Sequence, residues 1–185
     1  NMAAALVMLT NWRKDRPFYD PVCGSGTICI EAALIGHNIA PGFNRSFTCE
    51  TWDWVDPAIF EKVRNEAEAK ADYDVELDIC GSDVDGRMIE VARANAEEVG
   101  LGDSITFKQL ALKDFTTEKE YGVMVANPPY GERLGEEESV RRLYKEMGHV
   151  FRPLTTWSKY ILTSDLAFEE YYGAKATKKR KLYNG

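Results

Sequence analysis

The chain has 185 residues, 44% of them hydrophobic, and a formal charge of −7, which provides for one full core and argues against a second domain. Cys23, Cys29, Cys49 and Cys80 lack C-x-x-C spacing and His37 and His149 stand apart, so neither a disulfide framework nor a metal site is indicated; no run of eighteen apolar residues or charged-then-apolar leader occurs, so the reading is a cytoplasmic protein without a membrane span. The acidic balance is a poor footprint for a stand-alone nucleic-acid binder, and an RNA substrate would need much of its grip from outside the chain.

In chain order, residues 2–12, "MAAALVMLTNW", read as a helix with Asn1 as its possible N-cap. "PFYD" is a short apolar strand that runs into a glycine turn, and "TICIEAALIGH" after it has helical spacing. Residues 39–54 form an irregular, aromatic-containing loop, and residues 57–71 an inserted helix with Pro57 near its start. "VELDICGSDVD" is a second strand ending in acids. The helix after it puts Met88, Ile89, Ala92, Ala96 and Val99 on one face, with Gly100 as C-cap. "SITFKQLAL" gives a third strand, and "YGVMVANPPYG" a fourth, stopped by two prolines that cannot continue a central ladder. A long helix then aligns Val140, Leu143, Tyr144, Met147, Val150 and Phe151, and "WSKYILTS" supplies a fifth strand. This alternation predicts an α/β fold: a doubly wound, mainly parallel sheet with helices on both faces and ligands beyond the carboxyl ends of its strands. The basic run at Lys178 to Lys181 reads as a solvated surface. Asn184-Gly185 is a hairpin signal whose partner strand would come next, so the chain reads as a piece of a longer protein, short of its last strand.

Two strand ends carry the chemistry. "DPVCGSGTICIEAALIG" supplies Gly24 and Gly26 of a dinucleotide turn but has Cys29 where a third glycine belongs, and no Gly-Lys-Ser/Thr follows. Asp20 at the strand end repels phosphate and attracts an ammonium group, so a ligand with a sugar, a base and an amino acid fits: S-adenosylmethionine. Asp83, ending the second strand, suits two ribose hydroxyls. Taken singly, the turn could be a tight strand-to-helix connection and Asp83 a helix cap. In "ANPPYG", two prolines remove N–H donors, and the Asn127 side-chain oxygen with the Pro128 carbonyl can accept both hydrogens of an exocyclic amine, aiming its lone pair at a methyl group. Tyr130 would stack on the planar substrate. The alternative is a rigid turn with a packed tyrosine.

With "NMAAAL", "APGFNR", "GSDVD" and "NPPYGERL" in this order, the chain resembles class I S-adenosylmethionine-dependent methyltransferases. More closely it resembles the methylase domain of THUMP-containing rRNA guanine-N(2) methyltransferases. The resemblance implies a Rossmann-like domain over residues 1–185, an upstream RNA-binding THUMP region, and structured RNA, chiefly rRNA, as partner. It puts Asp20 and the turn of Cys23, Gly24, Ser25, Gly26 and Thr27 beside the methionine moiety, Asp83 on the ribose, and Pro21 in the cofactor-binding set. Val84, Asp85, Ala111 and Asn127 complete the cofactor set, and Asn127, Pro128, Pro129 and Tyr130 form the catalytic turn. Ala111 stands where many such enzymes carry an acid for the adenine amine, with Asp114 three residues on. The same turn serves adenine-amine and protein-glutamine methylases, and a non-catalytic RNA-binding scaffold would keep the same fold.

Overall fold

The computed structural model of the chain describes residues 2–129 and 136–183. Asn1, Tyr130, Asn184 and Gly185 lie outside them, and with them the proposed N-cap, the stacking tyrosine and the hairpin signal. The described elements are α1 (Met2–Met8), β1 (Phe18–Asp20), α2 (Thr27–Gly36), α3 (Pro57–Glu68), β2 (Ile79–Asp83), α4 (Gly86–Glu98), β3 (Ile105–Gln109), β4 (Val123–Ala126), α5 (Glu136–Phe151), β5 (Ser158–Ile161) and α6 (Phe168–Tyr172). The sheet has the order β3-β2-β1-β4-β5, and every pairing in it is parallel. From β1 the chain winds outward through β2 to β3, then returns to β4 on the other side of β1. That reversal opens a crevice at the carboxyl ends of β1 and β4, where open α/β sheets bind ligands.

The period-2 alternation of strand side chains divides the core into two layers. Phe18, Ile79, Val123 and Val125 join α1, α2 and α4 in one cluster; Tyr19, Met124 and Ala126 join Val140, Tyr144, Met147 and Phe151 of α5 in the other. Helices on both faces are thus present, and the apolar stripe expected on α5 is the one buried. Two hydroxyl pairs tie the layers to strand ends: Tyr19 with Ser82 at 2.5 Å, and Tyr144 with Thr163 at 2.9 Å.

Two helices end on the same backbone motif, and the glycine of one was legible in sequence. At α4, Gly100 takes φ 74°, its N–H donates to Glu97, and Leu101 N–H reaches the Ala96 carbonyl, a full Schellman cap. At α2 the same bonds recur with Asn38 at φ 55° in glycine's place. The expected helix over residues 2–12 is shorter, ending at Met8. The Thr10 hydroxyl turns back onto the Val7 carbonyl and receives the Trp12 N–H, while Asn11 is drawn away to Tyr160 and Ser158.

The inserted segment, residues 39–71, leaves and re-enters the domain through a narrow neck. Asp72 N–H donates to the His37 carbonyl at 2.7 Å, His37 Nδ1 donates to the Asp72 carbonyl at 2.8 Å, and Asn38 Nδ2 donates to the Lys70 carbonyl at 2.9 Å. His37 Nε2 pairs with the Ser104 hydroxyl at 2.7 Å, fixing the neck to the turn before β3. Within the insertion, α3 buries no residue fully, and Arg64 braces it against Glu50 and the Arg45 carbonyl.

At the crossing of α5 and α6, a Cβ on Gly148 would collide with the Tyr172 carbonyl oxygen, a backbone atom that cannot swing aside. Gly148→Ala gains about 1 kcal/mol of helix propensity. Overpacking here costs about 1–3 kcal/mol. A lower denaturation midpoint is therefore expected in a urea titration followed by circular dichroism; an unchanged or raised midpoint would refute the close packing of α6.

Candidate functional site

The glycine turn after β1 owes its shape to two left-handed residues. Gly26, at φ 80°, lies so close to α4 and β3 that a Cβ would meet Phe107 at 2.7 Å and Ala92 at 2.9 Å. Gly24, at φ 52°, has no atom within 4 Å of a built Cβ. One glycine therefore seats the turn on the domain, and the other faces open space where a ligand can approach the backbone.

The turn is held from behind by its neighbours. Gly24 N–H donates to Asp83 Oδ2 at 3.0 Å, Cys23 N–H donates to the Ser82 carbonyl at 2.9 Å, and Asn95 Nδ2 of α4 donates to the Ser25 carbonyl at 3.0 Å. The Ser25 and Thr27 hydroxyls are 3.2 Å apart. Cys23 itself is buried, and burial pushes its thiol well above the ordinary range, so it offers the site backbone and not side chain. Pro21 is fully buried beneath the turn.

Asp83 uses both oxygens locally: Oδ2 on Gly24, Oδ1 accepting from Asp85 N–H at 2.9 Å. Each oxygen keeps a second lone pair for a hydroxyl donor. The cap of α4 is Asp85, which accepts from Arg87 N–H at 2.9 Å and pairs with its guanidinium. The helix-cap alternative for Asp83 therefore falls to its neighbour. Val84 between them is 70% exposed, an apolar side chain beside two acids. Gln109, ending β3, donates to the Val84 carbonyl at 3.1 Å, and Leu110 N–H donates to the Asp83 carbonyl at 2.9 Å. Ala111 is half-buried one residue further on. Gln109 and Asn95 hold the site in place, yet sequence reading missed both. Asn95 had a detectable signal, as a polar residue adjoining the apolar stripe of α4.

Asp20 is 1% exposed at the end of β1. Burial raises its carboxyl, the Val22 N–H bond at 3.1 Å opposes that, and the Asp83 charge adds to it; the result is a group pushed up to about 7. Across the crevice, β4 delivers exposed Asn127, buried Pro128 and exposed Pro129. Asp20, the glycine turn, Asp83 and Asn127 are thus gathered at neighbouring strand ends around the reversal point. Tyr130 lies outside the described residues. Among the described residues no group of three or more His, Cys, Asp and Glu is placed to hold a metal ion, and no helix is long and apolar enough to cross a membrane.

The match to known proteins agrees with this geometry. Residues 1–185 match the family model described as the RMKL-like methyltransferase domain. The chain belongs to that family. Within it, the chain is 64% identical over its full length to YpsC of Bacillus subtilis, provisionally named an RNA methyltransferase, of which it covers 48%. It is 38% identical to the ribosomal RNA large subunit methyltransferase K/L of Shewanella baltica, covering 27% of that protein. Among solved structures, SMU.472, complexed with SAH, superposes over the whole chain with a TM-score of 0.95 at 61% identity; the chain covers 49% of it. A Listeria monocytogenes protein described as a predicted N6-adenine-specific DNA methylase superposes over 98% of the chain with a TM-score of 0.95 at 66% identity, and 48% of it is covered. The chain thus spans about half the length of its nearer relatives. The donor set fits the cofactor of such a domain, S-adenosylmethionine: a carboxylate with spare lone pairs for ribose hydroxyls, an exposed apolar residue, an open glycine turn and a buried acid.

The Asp20 carboxyl sets a pH dependence. Its folded-state value lies above the unfolded one, so folding favours its protonated form; that contribution is full below about pH 4 and is lost as pH rises through about 7. Asp20→Asn, which mimics the protonated group, should gain on the unaltered protein as pH rises, by a few kcal/mol at pH 8. Ligand-free melting curves between pH 5 and 8 check this; parallel curves for the two proteins would rule it out.

Proposed function

We propose that the chain is the methyl-transferring part of an RNA methyltransferase that acts on an exocyclic base amine, guanine N2 of large-subunit rRNA. The observation that carries this reading is the placement of Asn127 and Pro128 at the end of β4, across the crevice from Asp20 and Asp83 at the ends of β1 and β2. S-adenosylmethionine, when bound, supplies an electrophilic methyl group on a positively charged sulfur.

The chain's own groups do the rest. Asp83 accepts ribose hydroxyls through its spare lone pairs, and the Gly24 backbone lets the ligand come close. An exocyclic amine is a weak nucleophile because its lone pair is delocalised into the ring. Asn127 Oδ1 and the Pro128 carbonyl accept its two N–H groups and draw that lone pair out of conjugation. Were the cofactor's methyl to pass to this nitrogen, with S-adenosylhomocysteine as the leaving group, positive charge would build there, and the two oxygens would stabilise it until one proton left to water. The prolines matter because neither carries an N–H that could pair with a neighbouring acceptor. Tyr130 is proposed as the stacking face for the target base.

The name of the Listeria neighbour favours a second reading, transfer to adenine N6. The same two acceptors suit either amine. Digestion of large-subunit rRNA methylated by the full-length enzyme, followed by mass spectrometry of the nucleosides, separates them: N2-methylguanosine supports the first reading and N6-methyladenosine the second.

Two substitutions test the site. Asp83→Ala should weaken cofactor affinity by about 1–3 kcal/mol, the range for leaving hydrogen-bond partners unmet, as measured by calorimetry with S-adenosylhomocysteine. Unchanged affinity in a folded variant would remove Asp83 from the ribose. Asn127→Ala should lower single-turnover methyl transfer by roughly a hundredfold while cofactor affinity stays nearly constant, because its oxygen acts on the charge that develops in the transition state. Wild-type turnover would exclude that role.

A further inference from the structure

The segment after α6, residues 174–183, holds Lys175, Lys178, Lys179, Arg180 and Lys181 and no acid, in a chain of formal charge −7. All five cations are exposed. Of these five, only Lys179 is in a salt bridge among the described residues, with Glu169 of α6 at 2.8 Å, and the Lys175 charge acts on the same carboxylate. Lys178 and Arg180 are in no salt bridge among the described residues, and Lys181 lies over the ring of Tyr183, 5.3 Å from its centroid. Among the described residues, exposed cations outside any salt bridge also occur singly, as at Lys70 and Lys113, beside paired ones such as Arg141, Arg142 and Arg87. This run differs in density: Lys178, Arg180 and Lys181, three of four consecutive residues, are in no salt bridge among the described residues.

The run is also held in place. Ala176 N–H donates to the Glu169 carboxylate at 2.7 Å, and beyond the run Leu182 packs on the first core cluster. The cations are therefore carried on a segment fixed at two points. Its position follows from the topology. Glu169 belongs to α6, which packs on α5 and follows β5, the outermost strand on that side. Asp20 and Asp83 stand on β1 and β2, in the other half of the sheet, and Asn127 at the end of β4 lies between the two halves.

We propose that Lys178, Arg180 and Lys181 form a phosphate-binding strip that receives the RNA backbone on the β5 side of the domain and so sets the direction from which the target base reaches Asn127. The inference rests on the RNA reading above. A polyanion is repelled by the Asp83 carboxylate at the end of β2 and attracted to the cations beyond β5, and at physiological salt both effects act over about 8 Å. The strip deals with phosphates alone; nothing in it reads a base edge.

The test compares the unaltered protein with Lys178→Gln/Arg180→Gln/Lys181→Gln, using labelled fragments of large-subunit rRNA at several salt concentrations, with S-adenosylhomocysteine affinity and melting temperature measured alongside. The triple variant should bind RNA at least tenfold more weakly near 50 mM salt. Its slope of log affinity against log salt should shrink by about 2–3, nearly one per lost phosphate contact, while S-adenosylhomocysteine affinity holds. Lys178→Arg/Lys181→Arg, which keeps the charges, should behave like the unaltered protein. If the triple variant melts early, the single substitutions Lys178→Gln and Arg180→Gln are read in its place, each expected to weaken binding two- to threefold. A triple variant, or folded single variants, matching the unaltered protein in RNA affinity and salt slope would overturn the strip and leave the RNA reading standing. Failure of the unaltered protein to bind or methylate RNA would overturn both.

Discussion

Two backbone N–H groups from different turns converge on the carboxylate of Asp83, and the rest of the site depends on that convergence. Oδ2 receives Gly24, from the turn after β1; Oδ1 receives Asp85, from the turn after β2. The Asp83 carbonyl receives Leu110, from the exit of β3. One residue thus joins the ends of three strands, and the shape of the glycine turn is a property of the sheet and not of the loop alone. The parallel register that sets Asp20 opposite Gly81 brings Asp83 within reach of Gly24. A slip of one residue would turn every side chain of β2 to the opposite face and break the junction.

The two halves of the sheet have different work. Around β1 and β2 the chain presents acids and backbone donors at the mouth of a glycine turn. At the end of β4 it presents Asn127 and a turn whose two prolines carry no backbone N–H. The crevice exists because the winding reverses between β1 and β4. The buried Tyr19–Ser82 pair sits directly under the first half, and a buried hydrogen-bonded pair resists sliding more than an apolar contact does, since separating it leaves both groups unmet. Burial of Asp20 beside Asp83 works against stability at neutral pH, a feature often found where an ionisable group has a task.

Much of this was legible in the sequence, and the rest had physical reasons to be hidden. Strands and helices could be read because their signals are local: the stripe of Val140, Tyr144, Met147 and Phe151, the glycine at the end of α4, the prolines that stop β4. The strand ends could be read because the α/β winding rule assigns them a function. What escaped depended on long-range pairing. Nothing near Thr10 announces that Asn11 will be drawn to Ser158, 147 positions away, and so α1 looked longer than it is. Gln109 and Asn95 look like ordinary polar residues until the fold brings them to the carbonyls of Val84 and Ser25. The roles of neighbouring acids were also blurred: only the geometry separates Asp85, which caps α4, from Asp83, which does not.

The neck of the insertion has a consequence for how this domain can change over time. Residues 39–71 begin and end at groups already bonded to each other through His37, Asn38, Lys70 and Asp72. For a flexible loop whose ends are fixed, each doubling of length costs only about 0.6 kcal/mol, so lineages can lengthen, shorten or rewrite what hangs beyond the neck at little thermodynamic expense. The sheet has little stake in it, because of the segment only the end residues Ile39 and Ala71 pack on the core cluster beneath the strands. Related domains should therefore differ most in length and sequence beyond Arg45, up to Glu68, while the neck and the APGFNR stretch stay constant, and this is where new binding specificities can be grafted without disturbing the sheet.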